Sequence, residues 1–239
     1  LKNVRVLPTD LKGAHKGFLG LFQLAKEAKK LDVTFVADTH NVLRSKVIRS
    51  FLWLRGLKIA TIDKARGDKK KLTQAKGGKL ETLKSTHQRY ADVFAALGFA
   101  IDLTQHKFPA RKVLSANTQK FIGKSSKKYI GVAPFAAHKG KAYPFHLIKK
   151  VINQLSNCED FAIFLFGGGP TEIVQLDKLA ESLHGVTNIA GNLTFDEELE
   201  LISNLDVMLA MDSGNGHLAA MYGIDVLTLW GVTHPALGF

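Results

Sequence analysis

The 239 residues carry 33 lysines and arginines against 21 aspartates and glutamates, a formal charge of +12 at pH 7, in a chain that is 46% hydrophobic. That length and apolar content suffice for one large or two modest buried cores. A single cysteine, Cys158, excludes an internal disulfide and a multi-cysteine metal site and fits a reducing compartment, and no apolar run reaches the roughly 20 residues that span a bilayer.

Helix and strand signals alternate from the start. Residues 17–31 place Phe18, Leu21, Phe22 and Leu24 on one helical face, with Lys26, Lys29 and Lys30 near the end, where they suit the dipole. "VTFVAD" (33–38) reads as a strand, 41–56 as a helix closed by Gly56, "KIATID" (58–63) as a strand, and 82–98 as a helix closed by Gly98. Between them, residues 64–84 set Lys64, Arg66, Lys69, Lys70, Lys71, Lys76, Lys79 and Lys84 against only Asp68 and Glu81. Two readings stand: a mobile, solvated loop, or a surface that attracts phosphorylated glycolipid or an anionic membrane. Nucleic acid is not an expected partner, because the run has no interleaved aromatics for base stacking and no nucleic-acid motif accompanies it.

The rhythm breaks over 104–128, which is rich in Lys and Ser. A division is therefore expected there, into a domain over 1–115 and a second over 116–239. The second half restarts with a buried strand at 129–135, a loop "AAHKGKAYP", a helix from Phe145, a strand at 161–166 running into Gly167–Gly169, and a helix whose first turn holds Pro170. Thr194 and Glu197 match a capping box. "MLAMDSGNGHLAAMYGIDVLTLWG" (208–231) then reads as strand, tight polar loop, short helix and strand. Strands alternating with helices predict an α/β fold with mainly parallel sheets, and the second half reads as a nucleotide-binding type of domain.

In such a sheet ligands bind beyond the carboxyl ends of the strands. Four loops leave those ends: "AAHKGKAYP", "GGGPTE", "AGNLT" and "DSGNGH". Gly214 and Gly216 allow close backbone approach, and a helix starting near His217 aims free N–H groups at a phosphate or diphosphate. Asp212 either caps that loop or accepts a ribose or sugar hydroxyl; His217 either caps its helix or faces the ligand. Lys139 and Lys141 are placed to neutralise phosphate charge, and Glu172 to accept from ribose hydroxyls. The glycine triplet lacks the full G-x-G-x-x-G spacing, so it is not a dinucleotide fingerprint.

These residues resemble a known family. "MDSGNGHLAAMYGIDVLTLWGVTHP" is similar to the signature of the ADP-heptose:lipopolysaccharide heptosyltransferases, glycosyltransferase family 9, at Asp212, Ser213, Gly214, His217, Leu218, Gly231, Thr233 and Pro235. "APFAAHKGKAYP" resembles its donor loop, with Lys141 two residues before Tyr143–Pro144, and "VADTHNVLRS" its acceptor-side segment. The resemblance implies a GT-B fold of two Rossmann-like domains, acceptor-side over 1–115 and nucleotide-sugar-binding over 116–239. It implies transfer of heptose from ADP-heptose to the lipopolysaccharide inner core, without a metal or other cofactor, at the cytoplasmic face of the inner membrane. Membrane association there would be peripheral. Carried across, Lys141 would stabilise the leaving diphosphate. Lys139, Asp212, Ser213, Gly214, Asn215, Gly216 and His217 would bind the donor, Glu172 the ribose, and Asp38, His40 and Arg44 would line the acceptor side.

The family's opening "R-x-S-x-x-G-D" loop, whose acid is the expected general base, does not occur at the start of the chain, and the family's last helices have no counterpart after Phe239. The chain, which opens on Leu1 rather than methionine, therefore reads as a piece lacking both ends and unable to turn over alone. Two other functions share parts of the pattern: a GT-B sugar-nucleotide epimerase, and a non-catalytic module binding phosphoglycolipid through the 64–84 surface.

Overall fold

The computed structural model describes residues 3–74, 81–123 and 126–238. The chain divides into two compact units, Leu1–His106 with Pro235–Phe239, and Lys107–His234.

In the first unit, α1 (Gly17–Lys29) leads to β1 (Phe35–Asp38), α2 (Leu43–Trp53), β2 (Lys58–Thr61), α3 (Arg66–Gln74) and α4 (Thr86–Ala96). The strands β1 and β2 pair in parallel, Asp38 opposite Thr61. Ala25, Leu52 and Leu57 form a small core where α1 and α2 meet, while Ala60 and Ile62 pack against Val93 of α4 and Leu97 just after it. The period-2 alternation of a strand sends neighbouring side chains to these two separate clusters. Ser85 caps α4 by accepting from Gln88 N–H at 3.1 Å. The chain returns to this unit after the last strand: Leu83 N–H donates to the Ala236 carbonyl and Thr86 N–H to that of Gly238, each at 2.8 Å.

The basic stretch is not a loop throughout. Arg66–Gln74 is helical, with Asp68 in its first turn, Lys71 in its last and no buried residue. Good helix formers and charges that complement the dipole account for a helix with no apolar face, which a search for hydrophobic periodicity passes over. Lys76 and Lys79 lie outside the described residues.

The second unit holds α5 (Ala116–Ile122), β3 (Lys128–Ala133), α6 (Phe145–Ser156), β4 (Phe161–Leu165), α7 (Pro170–Glu181), β5 (Val186–Asn188), α8 (Phe195–Ile202), β6 (Val207–Met211), α9 (Gly214–Met221) and β7 (Asp225–Leu229). Its five strands are all parallel in the order β5-β4-β3-β6-β7. Ile163 and Leu165 of β4, with Leu209 and Met211 of β6, bury against Ile148 and Ile152 of α6 and Leu176 of α7. Phe164, Met208 and Ala210 bury on the opposite face against Leu201 and Ile202 of α8 and Ala219 of α9. Each fully buried aliphatic or aromatic side chain contributes roughly 1.5–3 kcal/mol, so the doubly covered sheet is the stable frame of this unit.

The helix caps follow the sequence closely. Gly169 takes φ +85° before Pro170 opens α7, and the Thr194–Glu197 capping box is formed at α8. The seven-residue α5 is capped by Ser115 and docks on α8, where Glu200 accepts from Ser115 N–H at 2.9 Å and Thr118 Oγ1 at 2.8 Å. Residues 107–115 cluster with this unit because they bond to the same helix end: Lys112 N–H donates to Ser203 Oγ and its carbonyl accepts from Asn204.

Candidate donor site

Counting strands within the second unit, the sheet order is third, second, first, fourth, fifth. The chain direction across the sheet reverses between β3 and β6, and the loops leaving these two neighbours diverge to opposite faces. Such a switch point opens a crevice at the carboxyl ends of the strands. The loop after β3 carries a single 3-10 turn, Lys139–Lys141; the loop after β6 is Asp212–Ser213, leading at once into α9. Tertiary structure joins them: Lys141 Nζ donates to Asp212 Oδ2 at 2.6 Å.

A third segment completes the cluster. Thr233, beyond β7, donates its hydroxyl to the same Asp212 oxygen at 2.9 Å. Val232 N–H donates to the Gly140 carbonyl at 3.0 Å. The approach is so close that a Cβ on Gly231 would press into that carbonyl oxygen and lie 3.0 Å from Lys141 Cα. Glycine is required here by space, not by backbone angle. From α9, His217 Nε2 lies 3.6 Å from the other oxygen, Asp212 Oδ1.

The Asp212 side chain is only 3% exposed, Lys141 24% and His217 64%. The ion pair is therefore screened on its lysine side and dehydrated on its aspartate side. Burial pushes the Asp212 carboxyl up; hydrogen bonds from Lys141 and Thr233, with the charges of Lys141 and His217, outweigh it and hold the group below the ordinary carboxylate range. One Asp212 oxygen is thus bonded twice from within the unit, with the His217 ring near the other, and the residue organises the loops around it.

At the head of α9, Ser213 has extended backbone and makes no side-chain cap. Its Oγ is buried without a hydrogen-bond partner. The N–H groups of Gly214, Asn215 and Gly216 fall in the first turn, where a helix supplies no acceptor of its own. An orphan hydroxyl, first-turn amides and a lysine ammonium together form what a phosphate group satisfies. Gly216 is buried, and a Cβ there would stand 3.2 Å from that of Ala210, so its small size sets how tightly α9 lies on β6. Lys139 is exposed on the same turn as Lys141.

Glu172 lies in the first turn of α7, and its Oε2 accepts from Gly168 N–H at 2.9 Å, so one oxygen closes its own glycine turn. In the first unit, Asp38 is almost wholly buried and fully engaged. It accepts from the N–H groups of His40 and Asn41 at 3.1 and 2.7 Å, and from Ser45 Oγ and Arg49 Nη1, each at 3.0 Å. Burial raises its carboxyl, and the Asn41 amide, Ser45 hydroxyl, His40 amide and Arg49 charge together bring it below the usual range. His40 and Arg44 are exposed beside this turn. Arg49, absent from the sequence expectations, also donates to Thr61 Oγ1 at 2.7 Å. Its signal was present: Ser45 and Arg49 are four apart and so share a helix face toward Asp38. Among the described residues, no three His, Cys, Asp or Glu side chains are gathered to hold a metal ion, and no helix is long and apolar enough to cross a membrane.

A parallel, doubly wound sheet with an ion pair and a glycine-opened helix at its switch point defines a protein of the α/β class. Residues 22–237 match the model of glycosyltransferase family 9 (heptosyltransferase); the chain belongs to that family. It is 24% identical over 243 residues to the lipopolysaccharide core heptosyltransferase OpsX of Haemophilus influenzae, across 98% of this chain and 67% of that protein. The fold is shared with a glycosyl transferase family 9 structure from Veillonella parvula (TM-score 0.71, 18% identity, 96% of this chain and 67% of that one). It is also shared with the E. coli ADP-heptose lps heptosyltransferase II (TM-score 0.63, 19% identity, 90% and 68%). The chain thus spans about two thirds of the length of these relatives, and its architecture is the GT-B type of this family.

Proposed function

We propose that this protein takes part in transferring heptose from ADP-heptose to the inner core of lipopolysaccharide, working at the cytoplasmic face of the inner membrane and touching it peripherally. The observation that carries the reading is the Lys141–Asp212 pair at 2.6 Å, set at the sheet's switch point beside the open first turn of α9. In glycosyl transfer the bond from the anomeric carbon to the diphosphate oxygen breaks, and the electron pair leaves with the diphosphate. The acceptor hydroxyl bonds to that carbon and gives its proton to a base. The charge that must be stabilised is on the leaving diphosphate.

Lys141 would meet that charge directly, and an ammonium with three donors can keep Asp212 while doing so. The amides of Gly214, Asn215 and Gly216, with Ser213 Oγ, would hold the phosphate oxygens; the exposed Lys139 would add positive field, and His217 would offer a ring N–H. Glu172 would take the ribose through the oxygen that Gly168 leaves open. Asp38 would act by holding the turn that presents His40 and Arg44 to the acceptor. This chemistry needs no metal ion. The base would be the acid of the family's "R-x-S-x-x-G-D" loop.

Calorimetric titration with ADP, UDP and ADP-heptose tests the reading, beside Lys141→Ala and Asp212→Ala with thermal melts as folding controls. ADP binding in preference to UDP, weakened at least tenfold in both folded variants, is the expected result. Equal ADP affinity in wild type and Lys141→Ala would place the nucleotide elsewhere.

A further inference from the structure

The donor-site reading leaves one neighbour of Asp212 without a task. We propose that Thr233 is a positioning residue, whose hydroxyl steadies the Asp212 carboxylate while the Lys141 ammonium is shared with an incoming diphosphate. The proposal rests on the donor-site reading and adds to it a residue that touches no substrate.

The geometry is that of a three-residue clamp. Thr233 Oγ1 and Lys141 Nζ donate to the same oxygen, Asp212 Oδ2, at 2.9 and 2.6 Å. Two residues before Thr233, Gly231 lies against the backbone of Gly140 and Lys141, and Val232 N–H fastens that approach at 3.0 Å. One short segment therefore fixes both ends of the ion pair, the lysine's turn through backbone and the carboxylate through a hydroxyl. The charged group facing Asp212 is Lys141, from the turn after β3, and the titratable group facing it is His217, from α9.

The consequence is energetic. A carboxylate as buried as Asp212 is costly when a donor is withdrawn, because water cannot replace it. When a diphosphate draws the lysine ammonium toward itself, Oδ2 loses part of its strongest partner. The Thr233 hydroxyl remains, so the lysine can respond to the ligand without stranding a charge. Without that hydroxyl, Lys141 is held more tightly by Asp212 and is less available to phosphate.

The test is calorimetric titration of the full chain with ADP in wild type, Thr233→Val and Thr233→Ser. Valine keeps the shape and removes the donor; about tenfold weaker binding is expected. Serine restores the hydroxyl and is expected to bind within about twofold of wild type. A deficit that serine does not rescue would mean a merely structural role and overturn the proposal. Carboxyl-carbon NMR of Asp212 in the ligand-free chain decides the point without any nucleotide: its titration must move upward in Thr233→Val, and an unchanged midpoint refutes the coupling. Binding that is absent, or unaffected by Lys141→Ala, overturns the donor-site reading. Binding that needs Lys141 but ignores Thr233→Val overturns this inference alone.

Discussion

Replacing Gly231 by alanine adds one methyl group to an exposed loop, a change that ordinarily costs nothing. Here the new Cβ would enter the Gly140 carbonyl oxygen and stand 3.0 Å from Lys141 Cα. Both neighbours are backbone, so no rotamer change can relieve the clash. Carbon and carbonyl oxygen settle at about 3.3 Å or more, which requires the two loops to part by about 1 Å. That movement breaks the Val232–Gly140 hydrogen bond, now 3.0 Å. It also carries Lys141 away from Asp212 until the 2.6 Å contact leaves hydrogen-bonding range. The strain and the lost bond together amount to about 1–3 kcal/mol of stability, and a lysine misplaced by that distance lowers ADP affinity about tenfold or more. Gly140→Ala supplies the comparison: its Cβ would meet Val232 side-chain carbon at 2.9 Å, and Val232 is largely exposed and can turn away. Thermal unfolding and calorimetric titration of both variants read the difference, Gly231→Ala being the more severe by both measures. A Gly231→Ala protein that melts and binds ADP like wild type would refute the claim that this loop sets the lysine.

Two further outcomes follow from the same geometry. Phe164→Ala empties a fully buried site on one face of the second sheet, beside Tyr129 at 5.2 Å. It should lower stability by about 3–5 kcal/mol in urea unfolding, and a loss below about 1 kcal/mol would show that the face is loosely packed. Asp38 has its carboxyl held below the ordinary range in the folded chain. Its contribution is therefore fully present above the unfolded value, about 3.9, and is lost as pH falls through its own lower value. Asp38→Asn should narrow the gap to wild type along that acid limb, and a gap that is the same at pH 6 and pH 2.5 in urea midpoints would contradict the assignment.

The alternation of strands and helices, the caps at Pro170 and Thr194, and the strand–loop–helix–strand order of 207–229 were legible in the chain. They depend on neighbours within a few residues, and local periodicity and backbone preference carry that information. The short helices α3 and α5 escaped because one has no apolar face and the other spans two turns. The residue types of the candidate site were legible as well: a lysine, an aspartate and glycines at strand ends. Their arrangement was not. Asp212 meets Lys141 across 71 residues and Thr233 across 21, and the strand order that makes β3 and β6 neighbours is a property of the whole sheet. Asp38 shows the same division: its place at a strand end is local, but its burial and its bonds to Ser45 and Arg49 come from packing. Pattern along the chain determines which groups are offered. Only packing decides which of them are neutralised by one another and which remain to meet a ligand, because burial and charge pairing depend on distance in space rather than in sequence.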